Sequence, residues 1–142
     1  MLRAALILAL VLLVMASAPA PTTEPTLAVI VHRDRVDELG VQDVANMFLK
    51  RRRFWSDGAP IVALNREPRT AARETFSRRV LGATSETFAA YWNEQYFHGI
   101  FPPITLSSSA AVKRYVATDR NAIGYIEIGE VDASVRVVVR LE

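Results

Sequence analysis

The chain has 142 residues and a formal net charge of +2, with 17 Lys and Arg against 15 Asp and Glu. This near balance gives no reason to expect a nucleic acid or another polyanion as a partner. Because the chain has no cysteine, a disulfide framework and a lipidated N-terminal cysteine are both excluded. About 122 residues follow the N-terminal segment, which is enough for one domain with an ordinary core.

Residues 1–20 have the pattern of a secretory signal peptide. Arg3 precedes an apolar run over residues 4–15, and small residues follow at 16–20. Because the run is short for a membrane span, we expect cleavage and a periplasmic protein, with an uncleaved N-terminal anchor as the alternative. Residues 21–26, rich in Pro and Thr, predict a flexible lead-in, and the folded domain is expected over residues 27–142.

Strands and helices alternate along the rest of the chain, which predicts an α/β domain. The second predicted helix, which begins at residue 71, is expected to end at Gly82. The third predicted helix is expected to be capped by Thr84 or Ser85 and to end at His98-Gly99. Apolar runs predict strands over 27–32, 61–64, 104–106, 122–128 and 134–141, and helical spacing predicts helices over 41–49, 71 to about 81, the segment up to 98, and 110–117.

Three arginines crowd the start of the second predicted helix, where stability alone would favour acidic residues. Thr70 is expected to cap this helix, whose first N–H groups lack intrahelical partners and make that end positive. A bound anion would reverse the unfavourable interaction of positive side chains with this end. The alternative is that the arginines are solvated and neutralised by Glu67 and Glu74. The arginines are Arg66, Arg69 and Arg73.

The sequence contains no pattern typical of an enzyme. His32 and His98 lie far apart, and no spacing of His, Cys, Asp or Glu indicates a metal site. The serines at 107–109 lack the setting of a nucleophile. They are expected to cap the next helix, or to donate hydrogen bonds to a ligand shared with the helix that follows Thr70. We therefore expect no catalytic residue, no metal and no cofactor.

A basic run over residues 50–53 stands beside Phe54 and Trp55. Basic residues next to aromatics can bind single-stranded nucleic acid. With a nearly neutral chain and a secretory leader, we expect a solvated face instead, or contact with an acidic partner or anionic lipid. Trp55 is expected to pack over the turn at Ser56-Asp57-Gly58.

Several motifs, taken in order, resemble the phosphate-binding proteins of bacterial ABC phosphate importers. The tryptophan turn and the Ala-Ile-Gly-Tyr strand are specific in combination, and the similarity covers most of the chain after the leader. The segments that carry the resemblance are Val44–Leu49, Phe54–Ile61, Arg66 with Thr70–Arg73 and Phe76, and Asn121–Ile126.

The resemblance implies a type II periplasmic binding protein-like α/β fold, of which this chain would supply a single lobe with hinge strands. The family has two lobes with the anion between them. In the anion loop, Arg66 stands at the position of the family's phosphate-pairing arginine, and Arg73 is kept. Pro68 replaces the aspartate that helps to exclude sulfate, and Ala71 replaces a glycine that allows close backbone approach.

We expect a secreted, non-enzymatic binding module that holds phosphate or another oxyanion. The expected binding residues are Arg66, Thr70, Ala71, Ala72 and Arg73, with Ser107 and Ser108 as weaker candidates. A transporter or another envelope protein is a possible partner, and a homodimer is possible too. The alternative function is an envelope protein-interaction module that kept the fold and lost the ligand.

Overall fold

A computed structural model describes residues 17–21 and 23–142. Most of the predicted leader therefore lies outside the described residues. Within the described part, no helix is long and apolar enough to cross a membrane. The strands are β1 (Leu27–His32), β2 (Val62–Arg66), β3 (Ile104–Leu106), β4 (Ala122–Glu127) and β5 (Val135–Leu141), and the α-helices are α1 (Val41–Phe48), α2 (Ala71–Phe76), α3 (Ala89–Phe97) and α4 (Ser109–Thr118).

The five strands form one mixed sheet in the order β3-β2-β4-β1-β5. Strand β2 runs parallel to β3 and to β4, whereas β1 is antiparallel to both β4 and β5. In this register Arg66 lies opposite Leu106, at the ends of β2 and β3. The carboxyl ends of three parallel strands therefore share one edge of the sheet, and α2 and α4 begin just beyond it.

Each face of the sheet packs against helices. On one face, α1 and α2 bury an aromatic cluster in which the rings of Phe76 and Tyr125 stack with centroids 3.9 Å apart, beside Phe48. On the other face, Val112 and Val116 of α4 are fully buried against the sheet. Successive side chains along each central strand point to opposite faces of the sheet, so each strand contributes to the core on both faces.

The predicted elements agree closely with the observed ones. Helix α2 continues without a break as a π-helical segment, Ser77–Leu81, and ends at Gly82, whose φ of 83° is the expected left-handed conformation. The third helix begins as a 3₁₀ turn, Glu86–Phe88, before α3. Of the two predicted caps, Ser85 stands at the N-cap position, but its side chain makes no capping bond and donates to Glu74, and the Thr84 hydroxyl lies 3.0 Å from the Thr87 hydroxyl.

The glycine of the Ala-Ile-Gly-Tyr strand allows α4 to approach the sheet. A Cβ atom at Gly124 would lie 2.5 Å from Val112 Cγ1 and 3.4 Å from Leu64 Cβ, and both neighbours are fully buried. We therefore expect Gly124→Ala to lower the free energy of unfolding by about 1–3 kcal/mol through overpacking. Urea denaturation would measure the loss. Gly129→Ala is the control, because nothing lies within 4 Å of its added Cβ.

Candidate functional site

The edge where β2 and β3 end brings two helix starts together. Thr70 caps α2, its Oγ1 accepting a hydrogen bond from the Arg73 N–H at 3.3 Å. Ser108 caps α4 in the same way, its Oγ accepting from the Ala111 N–H at 3.0 Å. Both predicted caps are confirmed. Two positive helix ends at the carboxyl edge of parallel strands favour an anionic ligand at this position.

Arg66 is buried at this edge, with 8% of its surface exposed. Its Nη1 donates to Ser109 Oγ at 2.7 Å, and Ser109 Oγ in turn donates to Glu127 Oε2 at 2.9 Å. Among the described residues, its Nε has no hydrogen-bond partner, and no carboxylate forms an ion pair with its guanidinium. A buried cation without a direct ion pair is costly, and here the Glu127 carboxylate is reached only through the Ser109 hydroxyl, so this guanidinium is suited to receive an anion.

The other buried arginine differs sharply from Arg66. Arg35 is 3% exposed, and its Nη1 lies 2.9 Å from Asp57 Oδ2 and 3.4 Å from Asp37 Oδ2. Its Nε donates to the Arg120 carbonyl oxygen, its Nη2 donates to Asn121 Oδ1, and its guanidinium lies 4.2 Å from the ring centroid of Trp55. Arg35 is therefore neutralised within the protein and serves the fold.

Arg73 joins the helix start to the end of β2. Its Nη1 donates to the Arg66 carbonyl oxygen at 2.5 Å, while its buried Nε has no partner in the described part of the chain. The Thr70 hydroxyl donates to the Glu67 carbonyl oxygen at 2.8 Å and so closes the loop between them. Two arginines that are adjacent in space thus each have a buried Nε without a hydrogen-bond partner among the described residues.

The loop before α2 is held by an internal carboxylate. Arg69 has a φ of 69°, a left-handed conformation that favours glycine. Its N–H donates to Glu74 Oε1 at 3.2 Å, and the Ser85 N–H donates to Glu74 Oε2 at 3.2 Å. Within the described residues, neither Glu67 nor Glu74 forms an ion pair with an arginine. Because Arg66 is buried, the alternative of solvated arginines is wrong for that residue.

The Glu74 carboxylate predicts how the thermal stability of the domain depends on pH. Burial opposes the ionisation of Glu74, but hydrogen bonds from Ser85 and from the Arg69 N–H outweigh it and hold the pKa of Glu74 below its usual value. A lowered folded-state pKa stabilises the fold above the unfolded pKa of about 4.3, and this contribution is lost as the pH falls through the folded pKa. We expect wild type to lose more thermal stability between about pH 5 and pH 3 than Glu74→Gln, whereas parallel curves would contradict this role.

The other predicted binding residues differ in their exposure and in the contacts that they make. Ala71 is exposed at the start of α2, and Ala72 is buried against the core. Ser107 is exposed, and Ser108 is used as a helix cap. Sequence analysis missed Ser109, the serine that contacts Arg66. It also missed Glu127, because their proximity to Arg66 depends on how α4 and β4 pack beside β2.

The described residues contain no cluster of His, Cys, Asp or Glu arranged to hold a metal ion. The basic run lies elsewhere on the surface. Arg52 forms an ion pair with Asp43 at 3.6 Å, and the Arg51 guanidinium lies 5.8 Å from the ring centroid of Tyr91. Trp55 is buried in the core, with 3% exposed, and its Nε1 donates to the Asn121 carbonyl oxygen.

Solved structures of phosphate-transport proteins share this fold. A protein from Clostridium perfringens assigned as a phosphate ABC transporter substrate-binding protein, with bound phosphate, is 26% identical with a TM-score of 0.64, over 80% of this chain and 45% of its own. An ABC-type phosphate transport receptor from Vibrio cholerae is 20% identical with a TM-score of 0.63, over 82% and 47%. PstS from Borrelia burgdorferi is 13% identical with a TM-score of 0.60, over 80% and 46%.

The chain thus spans about half the length of these structures and corresponds to a single α/β lobe. No curated protein matches it. The family model described as the PBP superfamily domain matches residues 25–139, which run from before β1 to within β5 and include the four α-helices of the described residues. The periplasmic binding protein-like fold that the motifs predicted is therefore confirmed, and the chain belongs to the PBP superfamily domain family.

Proposed function

We propose that this domain is a secreted, non-enzymatic binding module that holds phosphate or another oxyanion at the edge formed by β2 and β3. The observation that carries the proposal is the buried guanidinium of Arg66, which has no carboxylate partner within the described part of the chain. An oxyanion would supply the missing counter-charge and accept charge-assisted hydrogen bonds from Arg66 and Arg73.

The start of α2 would complete the site. The N–H groups of Ala71 and Ala72 lie in the first turn beyond the Thr70 cap, where the helix has no internal acceptor for them. Ser107 and Ser108 lie at the start of α4, so hydrogen bonds from that end are a further part of the proposal. The related proteins from Clostridium perfringens and Vibrio cholerae carry phosphate in their names, which makes phosphate the first anion to test.

Isothermal titration calorimetry of the purified domain at low ionic strength would test the proposal, with phosphate and sulfate compared. Saturable heat with either anion, reduced by Arg66→Ala, supports an oxyanion site. Similar affinities for the two anions are expected, because Pro68 offers no carboxylate to accept a proton from phosphate. No heat with either anion would overturn the proposal.

The proposed cellular compartment rests on the N-terminal leader, residues 1–20. Export to the periplasm would place the domain where a transporter or another envelope protein could receive the anion. Fractionation of cells that express the full chain would test this, with N-terminal sequencing of the mature protein. Retention of the whole chain in the cytoplasm would contradict it.

A second candidate function is an envelope protein-interaction module. Its support is an aromatic patch formed by Tyr96, Phe97 and Phe101, whose side chains are 58%, 79% and 60% exposed. The Tyr96 ring centroid lies 6.1 Å from that of Phe97 and 5.6 Å from that of Phe101. Exposed apolar clusters of this kind commonly mark interaction surfaces.

Sedimentation velocity over a range of protein concentrations would test the simplest form of this function, a homodimer. A dimer that Phe97→Ser dissociates would support docking of a second copy on the aromatic patch. A monomer at every concentration, together with saturable phosphate binding, would favour the binding module.

A further inference from the structure

A cleft of about 420 Å³ opens directly beside the proposed anion site. Its lining includes Arg69 and Arg73 from the α2 side, and Ser85, Glu86 and Ala89 from the segment that leads into α3. Arg73 belongs to both features, because it lines the cleft and also donates to the Arg66 carbonyl oxygen. A ligand held by Arg73 therefore has open space next to it.

The cleft is larger than an inorganic oxyanion requires. Clefts that hold small organic ligands have volumes of roughly 300–1,000 Å³, and this one falls in that range. A water molecule occupies roughly 30 Å³ of liquid, so an anion of a few non-hydrogen atoms would leave most of the space to solvent. The size favours an oxyanion attached to a small organic group.

The charges of the residues that line the cleft indicate which charged groups the ligand carries. Arg69 and Arg73 line the cleft and supply positive charge, and neither forms an ion pair with a described carboxylate. Glu86 is exposed in the same cleft and forms no ion pair with any described residue. A ligand with a phosphate at one end and an ammonium group at the other would satisfy both.

We propose that the cleft extends the anion site and that its preferred ligand is a small phosphate monoester carrying an amino group. This inference rests on the proposed function, since Arg73 would hold the phosphate in both. Glu86 would pair with the ammonium group, and Ala89 would leave room for the carbon chain between the two charges. The monoester would bind intact, and no bond would be broken or formed.

Calorimetry with inorganic phosphate, glycerol 3-phosphate and O-phosphoethanolamine would test the inference. We expect O-phosphoethanolamine to bind at least about tenfold more tightly than inorganic phosphate, with glycerol 3-phosphate between them. Glu86→Gln should remove the advantage of the amine and leave inorganic phosphate unchanged. Glu94→Gln is the matched control, because it removes one exposed carboxylate of α3 that does not line the cleft.

A second variant tests whether the organic part of the ligand occupies the cleft. Ala89→Phe places a ring in the cleft and should weaken both esters while leaving inorganic phosphate unaffected. If inorganic phosphate binds through Arg66 but neither ester binds more tightly, the inference fails and the proposed function stands. If neither a phosphate compound nor sulfate binds, both fail.

Discussion

Replacing Arg66 with methionine is expected to weaken phosphate binding by about 30- to 150-fold while changing the free energy of unfolding by less than about 1 kcal/mol. The loss of charge-assisted hydrogen bonds to the anion corresponds to about 2–3 kcal/mol. The fold should tolerate the change, because methionine is apolar and replaces the aliphatic stem of arginine. The variant removes a buried charge that has no counter-ion in the described chain.

Titration calorimetry would measure the affinity for phosphate, and urea denaturation without the anion would measure stability. Arg114→Met is the control for net charge, since Arg114 is exposed on α4 and forms no ion pair with the described residues. Unchanged phosphate affinity in Arg66→Met would show that the anion binds elsewhere. A loss of several kcal/mol of stability would show that Arg66 serves the fold.

Replacing Arg35 with methionine is expected to have the opposite pattern, with a loss of about 3–5 kcal/mol in the free energy of unfolding. The change would leave the Asp57 and Asp37 carboxylates without their cation. It would also leave the Asn121 side-chain oxygen without its donor. Hydrogen bonds from Ser56 lower the pKa of Asp37 against the effect of burial, so its charge would persist beside the new apolar side chain.

Urea denaturation followed by tryptophan fluorescence is a suitable measurement, because Arg35 stacks on Trp55. Arg33→Met is the matched control, since the Arg33 side chain is 67% exposed and should cost little. If the protein is destabilised no more by Arg35→Met than by Arg33→Met, the internal neutralisation of Arg35 is refuted. The fraction of Arg35→Met that remains folded should still bind phosphate.

The features that were predicted correctly depend on residues close together in the chain. The Thr70 cap reaches the N–H three residues later, and Gly82 ends its helix by adopting a left-handed conformation. Both follow from local sequence chemistry. The Ser85 side chain makes no capping bond because the Ser85 backbone is helical, with φ −59° and ψ −35°, whereas Thr70 and Ser108 have the extended backbone of a capping residue.

The residues around the proposed anion site were predicted only in part. Local sequence identified Arg66, Thr70 and Arg73, because their crowding at a helix start is unusual. Ser109 was missed in favour of Ser107 and Ser108, since all three look alike in the chain. Ser109 is the one that contacts Arg66, because β2 pairs in parallel with β3 and α4 starts at this residue.

The sequence by itself determined the order of strands and helices, the caps of α2 and α4 and the candidate residues for an anion site. These properties arise from periodicity and from hydrogen bonds that span a few residues. Only the tertiary structure decided which arginine is neutralised and which is left open. Arg35 meets Asp57 across 22 residues of chain, whereas the guanidinium of Arg66 meets the Ser109 hydroxyl across 43 and no carboxylate among the described residues. Whether a buried charge is neutralised depends on residues that are far apart in the chain, and only folding brings them together.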